Sequence, residues 1–60
     1  MKLSELEKLL RENSCKLDHH GTRHDIWHSE RTGEYFPIPR HAKEIPKGTL
    51  DNILKNAGLK

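Results

Sequence analysis

Several residue types are scarce in this 60-residue chain, and each shortage excludes a class of protein. Cysteine occurs once, at Cys15, so a secreted fold held by internal disulfides is excluded. No apolar run exceeds two residues, as at Leu9-Leu10, which excludes a membrane-crossing segment. The N-terminal residues 1–5 also lack the character of a signal peptide. The expectation that remains is a reduced, cytoplasmic protein, and a bacterial cytoplasm fits best.

The short length limits the core that the chain can build. Sixty residues predict a single domain, spanning residues 1–60. A domain of this size buries only about 60% of the surface that its unfolded chain exposes, so its stability is marginal. Since no internal disulfide is available, a partner protein that adds stability is plausible from size alone.

Charge is nearly balanced, with a formal net charge of +2. Residues 1–14 carry three basic and three acidic side chains, whereas residues 15–60 carry eight basic and six acidic ones. This basic bias is far weaker than that of a nucleic-acid-binding tail, and alone it favours RNA binding only slightly over an ordinary solvated surface.

Hydrophobic periodicity predicts two helices. Leucines at positions 3, 6, 9 and 10 form one apolar stripe, which predicts a helix from about residue 4 to residue 13. Ser4 followed by Glu7 has the spacing of a capping box at its start. A second stripe at positions 50, 53, 54 and 57 predicts a helix that begins near Pro46-Lys47 and ends at Gly58.

Three alternating segments between the helices predict strands over residues 15–20, 23–28 and 34–38. Gly21 supplies the first turn, and residues 29–33 form a hairpin connection with Gly33 at a positive φ. Pro37 and Pro39 cannot donate to a ladder, so the third strand is frayed or lies at an edge. The order α-β-β-β-α predicts an α+β fold, a three-stranded antiparallel sheet with two helices on one face and the other face open. Cys15 and Leu17 are expected to face the helices.

Histidine is abundant: all five lie within residues 19–41. Imidazole exchanges protons near neutral pH, and His24 follows a turn at the start of the central strand, held firmly but accessible. His24, Ile26 and His28 share one strand face, and Asp25 and Trp27 share the other, but alternation alone does not say which face is open. The alternative reading of His24 is an ordinary surface histidine.

A metal site is the weaker reading of the histidines. Three imidazoles at positions 19, 20 and 24 could bind zinc, but a catalytic zinc site needs three convergent ligands. His19 and His20 are adjacent and point to opposite faces of a strand, so at most two of the three converge. We therefore expect no metal ion and no other cofactor.

The remaining polar and aromatic side chains have both functional and structural readings. Arg40 could hold a phosphate through two hydrogen bonds, or it is a simple loop cation. His28 is read as a solvated strand residue. Trp27 and Tyr35 could stack on bases, but a core with only three aromatic residues needs them for packing, and packing is favoured for Trp27.

These residues permit RNA hydrolysis by general acid–base catalysis. Paired carboxylates, a phosphate-cradling glycine loop and a Ser-His-Asp grouping are all absent. In RNA the ribose 2′-hydroxyl is the nucleophile, so the protein need only move protons and steady the phosphate. His24 could take the 2′-hydroxyl proton, and Arg23, Arg40 or Lys43 could offset charge on the phosphorane.

Four segments, in this order and spacing, resemble the HicA toxin family over nearly the whole chain. They are Gly21-Thr22-Arg23-His24-Asp25-Ile26, Phe36-Pro37-Ile38-Pro39-Arg40-His41, Lys47-Gly48-Thr49-Leu50 and Ile53-Leu54-Lys55-Asn56-Ala57-Gly58-Leu59. The resemblance implies a double-stranded-RNA-binding-domain-like fold. It also implies a type II toxin that cleaves mRNA in the bacterial cell and is silenced by a HicB-type antitoxin. The family's catalytic histidine falls on His24, and the family's Gly-Ser/Thr pair matches Gly21-Thr22.

The chain departs from double-stranded-RNA-binding domains in one respect. Those domains read duplex shape partly through helix 2, and here Lys47 alone represents the lysine cluster expected at its start. Single-stranded or ribosome-associated mRNA is therefore the expected substrate. The predicted RNA-binding residues are Gly21, Thr22, Arg23, Arg40, Lys43 and Lys47.

Three functional hypotheses remain. The chain is a metal-independent endoribonuclease with His24 as its single catalytic histidine, a non-catalytic RNA-binding module of the same fold, or a small adaptor that docks a partner. Replacement of His24 separates them, because it abolishes cleavage in the first case, weakens RNA binding modestly in the second and changes only partner affinity in the third.

Overall fold

The computed structural model describes residues 1–60 and has the predicted order of elements. The helices are α1 (Leu3–Glu12) and α2 (Lys47–Asn56), and the strands are β1 (Cys15–His20), β2 (His24–Ser29) and β3 (Tyr35–Pro39). The strands form one antiparallel sheet in the order β1-β2-β3, so β2 is central and the proline-containing β3 lies at an edge. The predicted α+β class and topology are confirmed. Neither helix has the length and apolar character needed to cross a membrane.

The start of α1 differs from the predicted capping box. The N-cap residue is Lys2, no side chain caps the helix, and Ser4 lies inside the first turn. The Leu3 amide donates instead to the Lys43 carbonyl at 3.1 Å, and Lys2 forms a bridge with Glu44. The loop before α2 therefore supplies the partner that a capping side chain otherwise gives, and the helix begins one residue earlier than predicted.

The end of α2 matches its prediction. Gly58 adopts a φ of +82° directly after the C-cap residue Ala57. The Leu59 amide donates to the Leu54 carbonyl at 2.8 Å, and the Gly58 amide donates to the Lys55 carbonyl at 3.2 Å. This pair of bonds is a Schellman motif, which satisfies the last carbonyls of the helix and favours glycine at the left-handed position.

The core lies between the helices and one face of the sheet. Trp27, Phe36 and Ile38 from that face pack with Leu6 and Leu10 of α1, and all five are almost fully buried. Ile45 from the loop, and Ile53 and Ala57 from α2, complete the same cluster. The prediction that Trp27 packs in the core is confirmed.

Leu17 differs from its expected environment. Cys15 is buried as predicted, but Leu17, which pairs with Trp27 and so shares its face of the sheet, is 38% exposed. Only the Cys15 end of this edge strand is buried. Beyond Cys15 the helices therefore leave β1 uncovered, although Trp27, the partner of Leu17 on β2, stays buried.

Candidate functional site

Strand register defines an open face of the sheet, opposite the helices. Directly opposed residues on neighbouring antiparallel strands point to the same face. Since Trp27 and Phe36 are buried on the helix side, the alternate positions of each strand point to the other side. The members of this open face are Lys16, His19, His24, Ile26, His28, Tyr35, Pro37 and Pro39.

His24 is the first residue of β2 and lies on this open face, paired with Pro39 of β3. Its side chain is exposed. The face of β2 that carries His24 is therefore the open one, which alternation alone could not decide. His24 borders a shallow depression at the end of the sheet. The residues that line it are Gly21, Thr22, Arg23, His24, Ile26 and Pro37.

The turn before His24 requires glycine because of a close approach. The Gly21 amide donates to the His24 carbonyl at 2.8 Å, which closes the turn around residues 22 and 23. A Cβ atom at position 21 would lie 2.6 Å from the His24 carbonyl oxygen, a contact that cannot occur without movement of the backbone. Gly21 was predicted as a turn residue, and the structure adds that its missing side chain lets the two strands meet immediately before the imidazole.

A charged network on the helix side of the sheet holds this turn. Oδ1 of Asp25 accepts a hydrogen bond from Nδ1 of His20 at 2.7 Å and another from Nε of Arg40 at 3.0 Å. Nη2 of Arg40 donates in addition to the Gly21 carbonyl. The network therefore joins β1, the turn that carries His24, and the residue that follows β3.

The electrostatics of Asp25 follow from these contacts. Its side chain is only 13% exposed, and the hydrogen bond from His20 is the largest influence that lowers the pKa of its carboxyl group. Burial acts in the opposite direction, while the charges of His20 and Arg40 lower the pKa further. The Asp25 carboxylate is thus held ionised by hydrogen bonds from the His20 imidazole and the Arg40 guanidinium group.

Sequence reasoning missed Asp25 as part of the site. A signal was present, because Asp25 alternates with Trp27, and a carboxylate on a strand face that is otherwise buried needs a cationic partner. The identity of that partner depends on the return of β3 beside β2, which brings Arg40 within reach after a separation of fifteen residues. No local pattern contains that information.

The predicted RNA-binding cations lie in different places. Arg23 lines the depression at His24 and is exposed, whereas the guanidinium group of Arg40 is occupied by Asp25 and Gly21. Lys43 borders a second depression beside the start of α1, and Lys47 is the exposed first residue of α2. The structure therefore brings Arg23 alone of these four side chains into the lining of the His24 depression.

Tyr35 is the aromatic residue that does not pack in the core. Its side chain is 58% exposed on the open face, and its ring centroid lies 4.5 Å from that of His28, at an interplanar angle of 41°. The pair is accounted for by the register, because His28 and Tyr35 are directly opposed on β2 and β3.

His19 and His20 point to opposite faces, as adjacent strand residues do. His19 pairs with Ile26 on the open face and contacts Oδ2 of Asp18 through Nδ1 at 2.6 Å, whereas His20 pairs with Asp25 on the other face. A bulge between Leu17 and His19 shifts the register at this point. No three side chains of the types that ligate metals form a group.

Comparison with known proteins identifies the family. No curated protein and no solved structure matches this chain. The family model described as the HicA toxin of bacterial toxin-antitoxin matches residues 3–59, which is almost the entire chain. The matched region contains both helices, all three strands and the turn that carries His24. The chain therefore belongs to the HicA toxin family, whose members are toxins of toxin–antitoxin systems.

Proposed function

We propose that this chain is the toxin of a type II system and acts as a metal-independent endoribonuclease that cleaves mRNA with His24 as its single catalytic histidine. The observation that carries the proposal is the placement of His24. Its imidazole is exposed at the edge of an open sheet face, while its backbone is fixed by the Gly21 hydrogen bond. A group that exchanges protons near neutral pH and stands on a rigid strand suits general acid–base catalysis.

The reaction needs no nucleophile from the protein. Neutral His24 accepts the proton of a ribose 2′-hydroxyl, and the 2′-oxygen attacks the adjacent phosphorus atom. The bond from phosphorus to the 5′-oxygen of the next nucleotide breaks, leaving a cyclic phosphate on one fragment. The departing 5′-oxygen takes a proton from water, and the His24 imidazolium returns its proton to water. The exposed Arg23 guanidinium beside His24 supplies positive charge to the phosphorane.

Single-stranded or ribosome-associated mRNA is the proposed substrate. Duplex recognition by a domain of this architecture draws on positive charge at the start of the second helix, and α2 begins with Lys47 as its only basic side chain within the first turn. An open, shallow sheet face admits a single strand without the shape that a duplex requires.

The proposed partner is a HicB-type antitoxin that covers the His24 face in the bacterial cytoplasm and excludes RNA from it. A small hydrophobic core favours a partner that adds stability, and the open face is the large surface of the sheet that the helices leave uncovered. An antitoxin complex in which His24 remained accessible to RNA would contradict this part of the proposal.

Induced expression in bacteria tests the proposed function. The parent chain is expected to arrest growth, and His24→Ala to abolish the arrest. His41→Ala is the matched control, because His41 is an exposed histidine in the loop after β3, outside the lining of the His24 depression. Arrest by the His24→Ala chain, at equal expression and with the fold intact, would assign the toxicity to binding and not to catalysis at His24.

A further inference from the structure

The open face carries an aromatic pair, in which the exposed ring of Tyr35 contacts the half-buried ring of His28. Tyr35 is 58% exposed on the edge strand β3, at the end of the row that it forms with His28 and Lys16. Its ring lies against His28 at 4.5 Å. Neither ring contributes to the core, since both point away from the helices. An exposed aromatic ring that packs against a second ring presents an apolar surface to solvent.

The composition of the surrounding surface favours an anionic partner. No Asp or Glu occupies a paired position on the open face. Lys16 stands directly beside His28 in the same row, and its contact with Glu30 at 3.6 Å joins two exposed side chains. Such a surface ion pair contributes little and is easily exchanged. The amino group of Lys16 can therefore exchange Glu30 for a phosphate group beside the aromatic pair.

Three acidic residues, Asp18, Asp25 and Glu34, are adjacent in sequence to members of this face but have no paired position on it. Asp18 lies in the bulged part of β1 and contacts the His19 ring. His19 is in the next row, beside Ile26. Lys16 is therefore the source of positive charge in the row of the aromatic pair.

We propose that Tyr35, supported by His28, is a stacking site for an unpaired base of the RNA substrate, with Lys16 on the other side of His28 for the phosphate backbone. Aromatic rings interleaved with cations are the usual means of binding single-stranded nucleic acid, because every base has a π face. This inference rests on the proposed function, and it adds a binding site that holds a nucleotide apart from the one that reacts.

The separation of the two sites fixes which nucleotide is held. His24 and His28 are four residues apart on β2, which corresponds to about 13 Å along the strand. One stacked nucleotide step covers about 3.4 Å. The base on Tyr35 therefore belongs to a nucleotide about four stacked steps away from the one whose 2′-hydroxyl faces His24. Ile26 and Pro37 form the row between the two sites and offer an apolar surface for the intervening sugar or base.

A protein partner is the competing occupant of this surface. The exposed apolar side chains of the face are few, and between them lie histidines and a lysine. A stable protein interface has an apolar core that is depleted in charge, whereas a nucleic-acid surface combines rings with cations. The composition thus favours RNA at Tyr35, even where an antitoxin also covers this face.

The test measures binding separately from cleavage. In chains that carry His24→Ala, we expect Tyr35→Leu to weaken the affinity for a labelled single-stranded RNA roughly 5- to 100-fold. Tyr35→Phe keeps the ring and should bind as tightly as the parent. Leu17→Ala is the control, because Leu17 is also an exposed apolar strand residue but lies on the helix side. Fluorescence anisotropy at one fixed salt concentration gives the dissociation constants, and circular dichroism confirms that each variant is folded.

A second measurement leaves the protein unchanged. A set of oligonucleotides with one abasic position each should include a position at which binding falls by a similar factor, and Tyr35→Leu should remove that dependence. In chains with His24 intact, Tyr35→Leu should raise KM with little change in kcat.

Equal RNA affinity of Tyr35→Leu and the parent would overturn the stacking site, as would a loss confined to antitoxin affinity. Absence of cleavage by the parent, with Tyr35-dependent binding retained, would instead contradict the proposed catalysis and leave the stacking site standing.

Discussion

The Asp25 carboxylate accepts a hydrogen bond from Nε of Arg40 at 3.0 Å, and the same guanidinium group donates to the Gly21 carbonyl. Through this relationship the end of β3 determines the position of the turn that precedes His24. The face that carries the exposed imidazole is thus held from the opposite side of the sheet. Arg40 stabilises the turn, and its contacts differ from the phosphate contact that its sequence position suggested.

Replacement of Arg40 tests this arrangement. Arg40→Lys keeps the positive charge but has a single ammonium group, which cannot reproduce a planar donor to two acceptors. We expect the free energy of unfolding to fall by about 1–2 kcal/mol and exchange of the Gly21 amide hydrogen to accelerate. Urea denaturation and hydrogen exchange measured by NMR give these quantities.

The matched control for Arg40 is Lys60→Gln. Lys60 also forms an ion pair with an aspartate, Asp51, at 2.6 Å, but it does so at the C-terminus, and both side chains are well exposed. The loss of this pair should change stability by less than about 1 kcal/mol. Unaltered exchange of the Gly21 amide in Arg40→Lys would show that the turn holds its shape without the guanidinium contact.

Much of the fold can be predicted from the sequence, because apolar periodicity and turn residues are local signals. The stripes of leucine and isoleucine predicted both helices, Gly33 adopts the predicted positive φ, and Gly58 ends α2 as predicted. The predicted start of α1 was wrong because the Leu3 amide donates to a carbonyl in the loop that contains Lys43, forty residues away in sequence. Local spacing cannot reveal a partner that tertiary folding supplies.

Only part of the candidate site could be predicted from the sequence. A turn followed by a histidine at the start of a central strand is a local pattern, and the structure has that arrangement at His24. The Asp25–Arg40 pair and the Tyr35–His28 pair both depend on the register of β2 with β3. Alternation predicts that residues share a face of one strand, but it does not predict which residue of the next strand stands beside them.

Acid stability is expected to depend on Asp25. The folded pKa of its carboxyl group lies below the ordinary value of 3.8, chiefly because of the hydrogen bond from His20. A depressed folded pKa contributes stability that is fully present above the unfolded pKa and is lost as pH falls through the folded pKa. The stability from Asp25 should therefore be constant above this range and decline below a pH of about 3.8.

The contribution of Asp25 to stability is measured by unfolding the parent and Asp25→Asn between roughly pH 2 and pH 7, which includes the range in which carboxylates titrate. The difference in unfolding free energy should be largest near neutral pH and should narrow in acid. Asp51→Asn is the control for a carboxyl group with a lowered pKa at a site remote from the turn. The pKa of Asp51 is lowered mainly by the hydrogen bond from Lys60. A difference between parent and Asp25→Asn that stayed constant down to the lowest pH would contradict the assignment.

Alanine substitutions at two glycines are expected to change the stability of the fold in opposite directions. At Gly21 an added Cβ meets the His24 carbonyl oxygen at 2.6 Å, so Gly21→Ala must displace the turn and should destabilise the chain. At Gly48, within the first turn of α2, an added Cβ meets nothing within 4 Å, so Gly48→Ala should stabilise the chain by about 0.5–1 kcal/mol.

Thermal or urea unfolding of the two alanine variants shows whether each is more or less stable than the parent. Growth arrest on expression measures the effect on function. Gly48→Ala should remain fully toxic. A Gly21→Ala chain that was as stable and as toxic as the parent would mean that the close approach of Gly21 to His24 is readily relieved, and that the position of His24 does not depend on it.

The central claim is that His24 performs the chemistry of RNA cleavage without a metal ion. Its most direct test is the rate at which the purified chain cleaves a single-stranded RNA in the presence of EDTA, compared with His24→Ala and His41→Ala. The account predicts cleavage by the parent and by His41→Ala, a rate at least about 100-fold lower for His24→Ala, and no cut where the attacking 2′-hydroxyl is replaced by hydrogen. Cleavage by His24→Ala at the parental rate, or cleavage by the parent that EDTA abolishes, would contradict it.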